Sequence, residues 1–442
     1  MPGPSSMFGE VGGLVGARGF EPPTSSSRTT RATKLRHAPT EGGNPSSRAA
    51  PGSNRPIVAR MLARFLTRTD AALLGWTLLT KLGVLAIGYA AMWWVTGSAP
   101  GLLEPWDRWD APHYTDMAVF GYMADDPGTL SAPGYEQVYP GDLDLYIVFF
   151  PLFPWLVGAV NAVIGVPVLA AFIVASVASL FVGPLLYRLV SVDLGHRIGL
   201  WSAVLLLVFP TAYFLHVGYT ESLFLALAFG SMWLARTDRW WLAGLLAALA
   251  ALTRINGLIL VPTLAVEAWL QWRRDRRPRV AWLAIAGAGI GFGIYLWLNW
   301  SVYGDPLAFS EIQRTHWDKD LSPPWEGIAG VLNWFRSARP DAVLMYGGME
   351  LLFVVIGLVA TVATALWLRP TWAAWMAGNW LLSVSTGFVL SVPRYSLVLF
   401  GIVVWAAIIA TRWRKAGWVL ASASVAALAY FAWRFGAGQW AF

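Results

Sequence analysis

Cysteine is absent from the 442 residues, which excludes a disulfide framework, a thiolate nucleophile and any Cys-ligated metal. Charge is scarce as well. Asp, Glu, Lys and Arg make up 13% of the chain, well below a soluble globular composition. Five scattered histidines show no paired spacing of the kind that holds zinc. Short alternating strands that would close a membrane barrel are missing. The first sixty residues also lack the apolar core of a cleavable signal peptide.

What fills the chain is apolar: 57% hydrophobic residues and 27 tryptophans. From residue 71 onward, runs of about 15 to 25 such residues recur, each near the length that crosses a roughly 30 Å hydrocarbon core as a helix. The expected spans are about 71–95, 168–190, 198–215, 221–235, 240–254, 257–272, 280–300, 343–368, 371–391, 395–411 and 416–434. The fold expected is therefore an all-α polytopic membrane protein with about eleven transmembrane helices. Most of the aromatic residues read as the belt that marks membrane–water interfaces.

The net charge of +7 does not point to nucleic acid, because residues 1–60 hold eight Lys/Arg against three Asp/Glu and leave little on the remainder. This leader is rich in Pro, Gly, Ser, Thr and Arg without apolar periodicity, and reads as disordered. Within it, "GARGFEPPTSSSRTTRATKLRHAP" (16–39) resembles a translated transfer-RNA gene, so the true start is expected near Met61, with the folded domain at 61–442.

Basic residues set the orientation. Arg60, Arg64 and Arg68 precede the first span, which then runs from inside to outside. The segment 96–145 follows with nine acidic residues against Arg108 alone, as suits an external loop. "RRDRRPR" (273–279) and "RWRK" (412–415) both belong inside, which requires that 149–165 lie on the outer surface as an amphipathic or re-entrant helix. The external loops are then 96–167 and 301–342, and the last span ends outside. With this parity Glu221, Arg254, Asn256, Arg394 and Tyr395 gather on the outer side, where ionisable groups at helix ends are costly unless paired or functional.

The most concentrated chemistry is "WDRWDAPHYTDMAVFGY" (106–122), which packs three carboxylates, a histidine and four Trp or Tyr rings into seventeen residues. Asp110, His113 and Tyr114 share one face of a helix that starts at "DAPHY". Asp110 reads equally as the N-cap of that helix, with Pro112 in its first turn. A carboxylate near a hydroxyl is a general base, and guanidinium groups take the charge of a leaving phosphate. Together with rings that stack on sugars, these groups suggest sugar transfer from a lipid phosphate.

"WDAPHYTDMAVFGY", followed in order by "FFPLFP", "GYTESLF" and "RINGL", resembles the phosphatidylinositol-glycan class V family. That family holds the second mannosyltransferase of GPI-anchor synthesis, and this chain is similar to its bacterial relatives over roughly residues 100 to 400. The resemblance implies the GT-C fold, a membrane glycosyltransferase whose catalytic Asp sits in a large first external loop with short juxtamembrane helices. It implies a polyprenyl-phosphate sugar donor, commonly mannose, and transfer with inversion, so no second carboxylate is needed as nucleophile. Asp110 occupies the family's Trp-Asp position, with Asp107 as competitor because two Trp-Asp pairs stand three residues apart. Family members often have a small or polar residue where this chain has Pro112.

By the same resemblance Arg254, Arg394 and Tyr395 hold the donor phosphate, and His113, Tyr114, Glu221, Asn256 and Gln313 orient the sugar or acceptor. Some relatives by fold use a divalent metal, to which Asp107 or Asp116 would contribute. Plainer readings stand beside these. Arg254 snorkels to head groups, Glu221 favours a helix dipole, Gln313 is a solvated loop residue, and Lys81 pairs with a carboxylate such as Glu350. The partners expected are the lipid-linked donor, membrane lipids and a glycan, glycolipid or protein acceptor, in the plasma membrane with the site outside. A partner subunit is compatible with the resemblance. A flippase of lipid-linked sugars and a non-catalytic subunit are the rival functions.

Overall fold

A computed structural model of the chain describes residues 67–125, 128, 130–132, 135, 136 and 143–442. The leader expected at 1–60 and the start near Met61 lie outside the described residues.

The first long helix, α1 (Arg68–Thr96), opens with a capping box: Thr67 Oγ1 accepts from the Asp70 N–H at 3.1 Å and Asp70 accepts from the Thr67 N–H at 2.9 Å. Gly97 closes it in the left-handed conformation at φ 69°. Beyond it, α2 (Asp110–Phe120) and a two-residue hairpin of β1 (Ser131–Ala132) and β2 (Tyr135–Glu136) belong to the first loop. The helix α3 (Leu152–Ile164) occupies the segment expected on the outer surface. Thirteen residues reach about 20 Å, short of a hydrocarbon core.

Next come α4 (Pro167–Leu194), α5 (His196–Leu207), α6 (Glu221–Arg236), α7 (Trp240–Thr253), α8 (Leu260–Asp275) and α9 (Ala286–Tyr303). The second loop carries α10 (Ala308–His316) and α11 (Pro324–Asn333), and the chain finishes with α12 (Glu350–Trp367), α13 (Pro370–Val384), α14 (Gly401–Arg412) and α15 (Arg414–Gly436). Among the described residues, five segments are long and apolar enough to cross a membrane: α1, α4, Val280–Tyr303, Pro340–Trp367 and α15. The pair Val392–Val398 and α14, bent by 72°, makes a sixth. Helix stands at all eleven expected positions, but several segments are shorter than expected. The one read as 198–215 ends at Leu207, and the one read as 371–391 ends at Val384.

Close packing explains two of the glycines of α9, Gly287 and Gly291. A Cβ on Gly287 would come within 2.1 Å of the Gly244 carbonyl, and one on Gly291 within 2.1 Å of the Ala248 carbonyl, so α7 and α9 touch backbone to backbone. Gly88 of α1 and Gly436 of α15 meet in the same way. Outward-facing Leu82, Trp94, Trp297, Val359 and Trp367 are exposed, as suits side chains that face lipid. The protein is an all-α polytopic membrane protein.

One expected pairing is corrected. Lys81 does not meet Glu350. Its Nζ donates to the His216 carbonyl at 2.9 Å and lies 5.0 Å from the Phe172 ring centroid. The reason is packing: α1 lies against α4, α5 and α15, whereas α12 lies against α13 and α14.

Candidate functional site

The site is assembled where helices break. Glu221 is the first residue of α6, Arg254 is extended between α7 and the turn Ile255–Ile259, and Arg394 sits in the four-residue turn Val392–Tyr395. Interrupted backbone at membrane depth survives only when it is buried in protein or lines a cavity. Here it is held from two sides. Glu350 accepts from the Ser391 and Val392 N–H groups at 2.7 and 2.8 Å, and the Thr211 hydroxyl donates to the Pro393 carbonyl at 2.9 Å. Ser391 itself takes φ 69°, a conformation that these bonds hold in place.

The three charged residues and Asp110 then form one chain of alternating sign. Arg394 donates from Nη1 to Asp110 Oδ2 at 2.5 Å and from Nε to Glu221 Oε1 at 2.5 Å. Arg254 donates from Nη1 to the same Glu221 oxygen at 2.6 Å and to Thr220 Oγ1 at 2.8 Å. Glu221 Oε2 is buried and has no hydrogen-bond partner among the described residues. The Arg394 guanidinium lies over Phe214 and Tyr219, at 4.6 and 4.9 Å from the ring centroids.

Asp110 is the point where this chain reaches the surface. Its side chain keeps 30% exposure, against 3% for Glu221 and 8% for Arg394. Burial would raise its carboxyl, but the Arg394 guanidinium bonded to it, with His113 and Arg254 nearby, brings it below the ordinary carboxylate value. Asp110 is therefore ionised at neutral pH. The reading of Asp110 as an N-cap is corrected: Trp109 holds the cap position, no side chain caps α2, and the Asp110 carboxylate goes to Arg394 instead.

Asp107 has a different environment. It lines a small cavity with Leu103, Trp106, Thr115 and Phe172, and its Oδ1 is buried without a hydrogen-bond partner among the described residues. Burial pushes its carboxyl up to about 6. Asp116 is fully buried and accepts from the Tyr135 hydroxyl at 2.9 Å. Among the described residues, no group of three or more His, Asp or Glu side chains is arranged to hold a metal ion.

Around Asp110 the aromatic side chains close in. His113 packs against Tyr146, Phe149 and Trp317 with centroids 4.4, 5.2 and 6.0 Å away. Burial lowers its imidazole to about 4 against the upward pull of Asp110, so it is neutral at pH 7. Tyr114 is buried edge-on against Phe149 and Phe153, and burial raises its phenol well above the ordinary value. Tyr395 lies between two cations, with Arg254 at 5.7 Å and Lys319 at 5.5 Å from its ring centroid, and its hydroxyl accepts from Lys319 Nζ at 3.3 Å.

Two expected site residues stand apart. Asn256 donates to Asn379 Oδ1 at 2.8 Å and so braces the turn after Arg254 against α13. Gln313 is half-buried on α10, and no described side-chain bond joins it to the charged chain. Conversely, sequence reading passed over Lys319, which sits in an acidic-looking stretch, and it considered Glu350 only as a partner for Lys81, because its role depends on a turn forty residues away. A cavity of about 520 Å³ lies elsewhere, among Asp193, Arg236, Gln271, Arg274 and Arg369.

Residues 150–300 match the family described as dolichyl-phosphate-mannose-protein mannosyltransferase. The chain is 32% identical over 173 residues to GPI alpha-1,6-mannosyltransferase 2 of Mus musculus, covering 36% of this chain and 31% of that protein. It is 27% identical over 194 residues to GPI mannosyltransferase 2 of Yarrowia lipolytica, covering 41% of this chain and 54% of the relative. Among solved structures, ArnT from Cupriavidus metallidurans bound to undecaprenyl phosphate is similar with a TM-score of 0.48 at 15% identity, covering 80% of this chain and 63% of that one. The match thus spans about a third of the mouse protein's length. The likeness to the GPI mannosyltransferase 2 proteins is thus confined to part of each chain, and the match to the dolichyl-phosphate-mannose-protein mannosyltransferase family lies in the middle third, from α3 to α9.

Proposed function

We propose that this protein is a GT-C-type membrane glycosyltransferase that moves a sugar, mannose by family likeness, from a polyprenyl-phosphate donor to an acceptor hydroxyl with inversion. The observation that carries this reading is the ionised, partly exposed carboxylate of Asp110 bonded to Arg394, with Arg254 beyond Glu221 on the same charged chain. The acceptor hydroxyl loses its proton to Asp110 as its oxygen bonds to the anomeric carbon. The bond from that carbon to the phosphate oxygen breaks, and polyprenyl phosphate leaves. Arg394, Arg254 and Lys319 take up the leaving charge. Two carboxylates against these three cations leave one positive charge in the cluster before substrate arrives. His113, neutral and walled by rings, and Tyr114 form the sugar-facing side.

The basic stretch at 273–279 and the acidic first loop support an orientation with Asp110 on the external face, and the location proposed is the plasma membrane. A bacterial-type acceptor would be a glycan, glycolipid or protein. The test is transfer by purified protein from polyprenyl-phosphate mannose to candidate acceptors, wild type beside Asp110→Asn. Equal transfer by the two removes Asp110 as the base. Donor binding without transfer by the wild type replaces the enzyme reading with a flippase or a non-catalytic subunit.

A further inference from the structure

Trp109, the residue immediately before Asp110, has φ 58° and ψ −115°. A large side chain rarely takes that backbone conformation, which glycine adopts freely, so something must hold it. Three contacts surround it. The Trp109 ring stands edge-on to Trp440 at 5.3 Å with an interplanar angle of 85°. On the near side, the Tyr219 hydroxyl donates to the Arg108 carbonyl at 2.5 Å, while the Tyr219 ring supports Arg394. On the far side, Arg394 grips Asp110.

Trp440 is itself fixed from several directions. It stacks on Tyr346 at 5.6 Å, which stacks on Trp334 at 4.9 Å. Its carbonyl accepts from Arg434 Nε at 3.1 Å, and Arg434 pairs with Asp341 at 2.8 Å. The next carbonyl, that of Ala441, accepts from the Tyr213 hydroxyl. Gly438 makes the turn that brings the segment back, at φ 75°, and a Cβ there would come within 2.6 Å of Arg108 Nη1.

We propose that segment 437–442, through Trp440, positions Asp110 by holding Trp109 in its positive-φ conformation. Trp440 is a positioning residue, and it touches neither donor nor acceptor in this scheme. The consequence for turnover rests on the transferase reading above, whereas the hold on Trp109 does not. A side chain that only anchors the protein to the membrane interface would have no such coupling to the loop.

The experiment has two arms on wild type, Trp440→Ala and Trp440→Phe in detergent. Hydrogen–deuterium exchange of the 104–120 peptides reads the loop directly. In Trp440→Ala these amides are expected to exchange at least tenfold faster, and in Trp440→Phe close to the wild-type rate. In the transfer assay, kcat of Trp440→Ala is expected to fall at least tenfold with the donor KM within twofold, and Trp440→Phe to recover most of it. Unchanged exchange at 104–120 overturns the proposal, as does faster exchange with unchanged kcat, or a loss carried by KM. If wild type shows no transfer, the transferase reading fails while the exchange arm still decides the hold on Trp109. Should Trp440→Ala not fold, Trp440→Leu, which keeps apolar volume without a ring edge, takes its place.

Discussion

Among the described residues, two chains of alternating charge are each centred on a buried glutamate and hold two carboxylates and two guanidiniums, yet they are built differently. In Asp110–Arg394–Glu221–Arg254, both arginines bond one oxygen of the buried Glu221 and leave the other bare. In Arg236–Asp193–Arg369–Glu267, the equally buried Glu267 has both oxygens engaged: Arg369 from Nε and Nη2, Thr371 at 2.7 Å and Gln271 at 3.3 Å. Asp193 Oδ2 in the second chain is also buried without a partner among the described residues, so the difference lies at the glutamates. A fully bonded Glu267 fixes structure, whereas Glu221, with an open oxygen and a chain that ends at the partly exposed Asp110, keeps capacity for a ligand. Charge composition alone does not distinguish the two, and the count of donors on each glutamate does.

The sharpest break of this comparison pairs Asp110→Asn with Glu267→Gln. Asp110→Asn is expected to lower kcat by about 10²- to 10⁴-fold, the usual contribution of a general base, with little change in melting temperature. Glu267→Gln leaves the half-buried Arg369 with Asp193 as its remaining carboxylate and is expected to cost about 1–3 kcal/mol of stability, read as a lower melting temperature, with transfer per folded molecule near wild type. The opposite pattern would erase the distinction between the two chains.

Arg394→Lys keeps the charge but cannot hold Asp110 and Glu221 together, and kcat is expected to drop by about 10- to 100-fold. If lysine supports full turnover, simple charge rather than the fork of the guanidinium is what the site uses.

Acidity separates the two Trp-Asp pairs. Asp110 lies below the ordinary carboxylate range and His113 at about 4, so with Asp110 as base kcat/KM should hold level from pH 7 down to about 5. A fall centred near pH 6 would move the role to Asp107, whose carboxyl sits at about 6. Asp107 also affects stability. Its folded value lies above the ordinary carboxylate value of 3.8, so between about 4 and 6 the folded state holds a proton that the unfolded state has released, and stability falls as pH rises through that window. Asp107→Asn should therefore gain on wild type across the same window, by about 1–3 kcal/mol at pH 7, measured by melting temperature.

The smallest effect is expected at Lys319, which meets the cluster only through Tyr395. Lys319→Gln should raise the donor KM about fivefold, about 1 kcal/mol, with kcat within twofold. An unchanged KM would confine the phosphate contacts to the two arginines.

Much of the site was legible because its residues stand in short motifs. The stretch "GYTESLF" contains Glu221 together with Tyr219 and Thr220, both of which turn out to bond across the site, and "RINGL" and "SVPRYS" mark helix breaks by their Gly and Pro. Asn256 was read into the site on the strength of its neighbour Arg254, but a side chain two residues further along a tight turn points elsewhere, to Asn379. Lys319 and Trp440 carried no local signal, since each acts on a residue more than seventy positions away.

The sequence by itself determined that this chain lives in a bilayer as helices, because roughly twenty-residue apolar runs have no other way to satisfy their backbone in hydrocarbon. It also determined which loop concentrates acid and aromatic groups. Only the tertiary structure gave the two aspartates three residues apart different surroundings. Asp110 meets Arg394 across 284 positions, while Asp107 turns into a cavity walled by Trp106 and Phe172. Composition cannot express that difference, since the acidity and reach of a carboxylate are set by what the fold places against it.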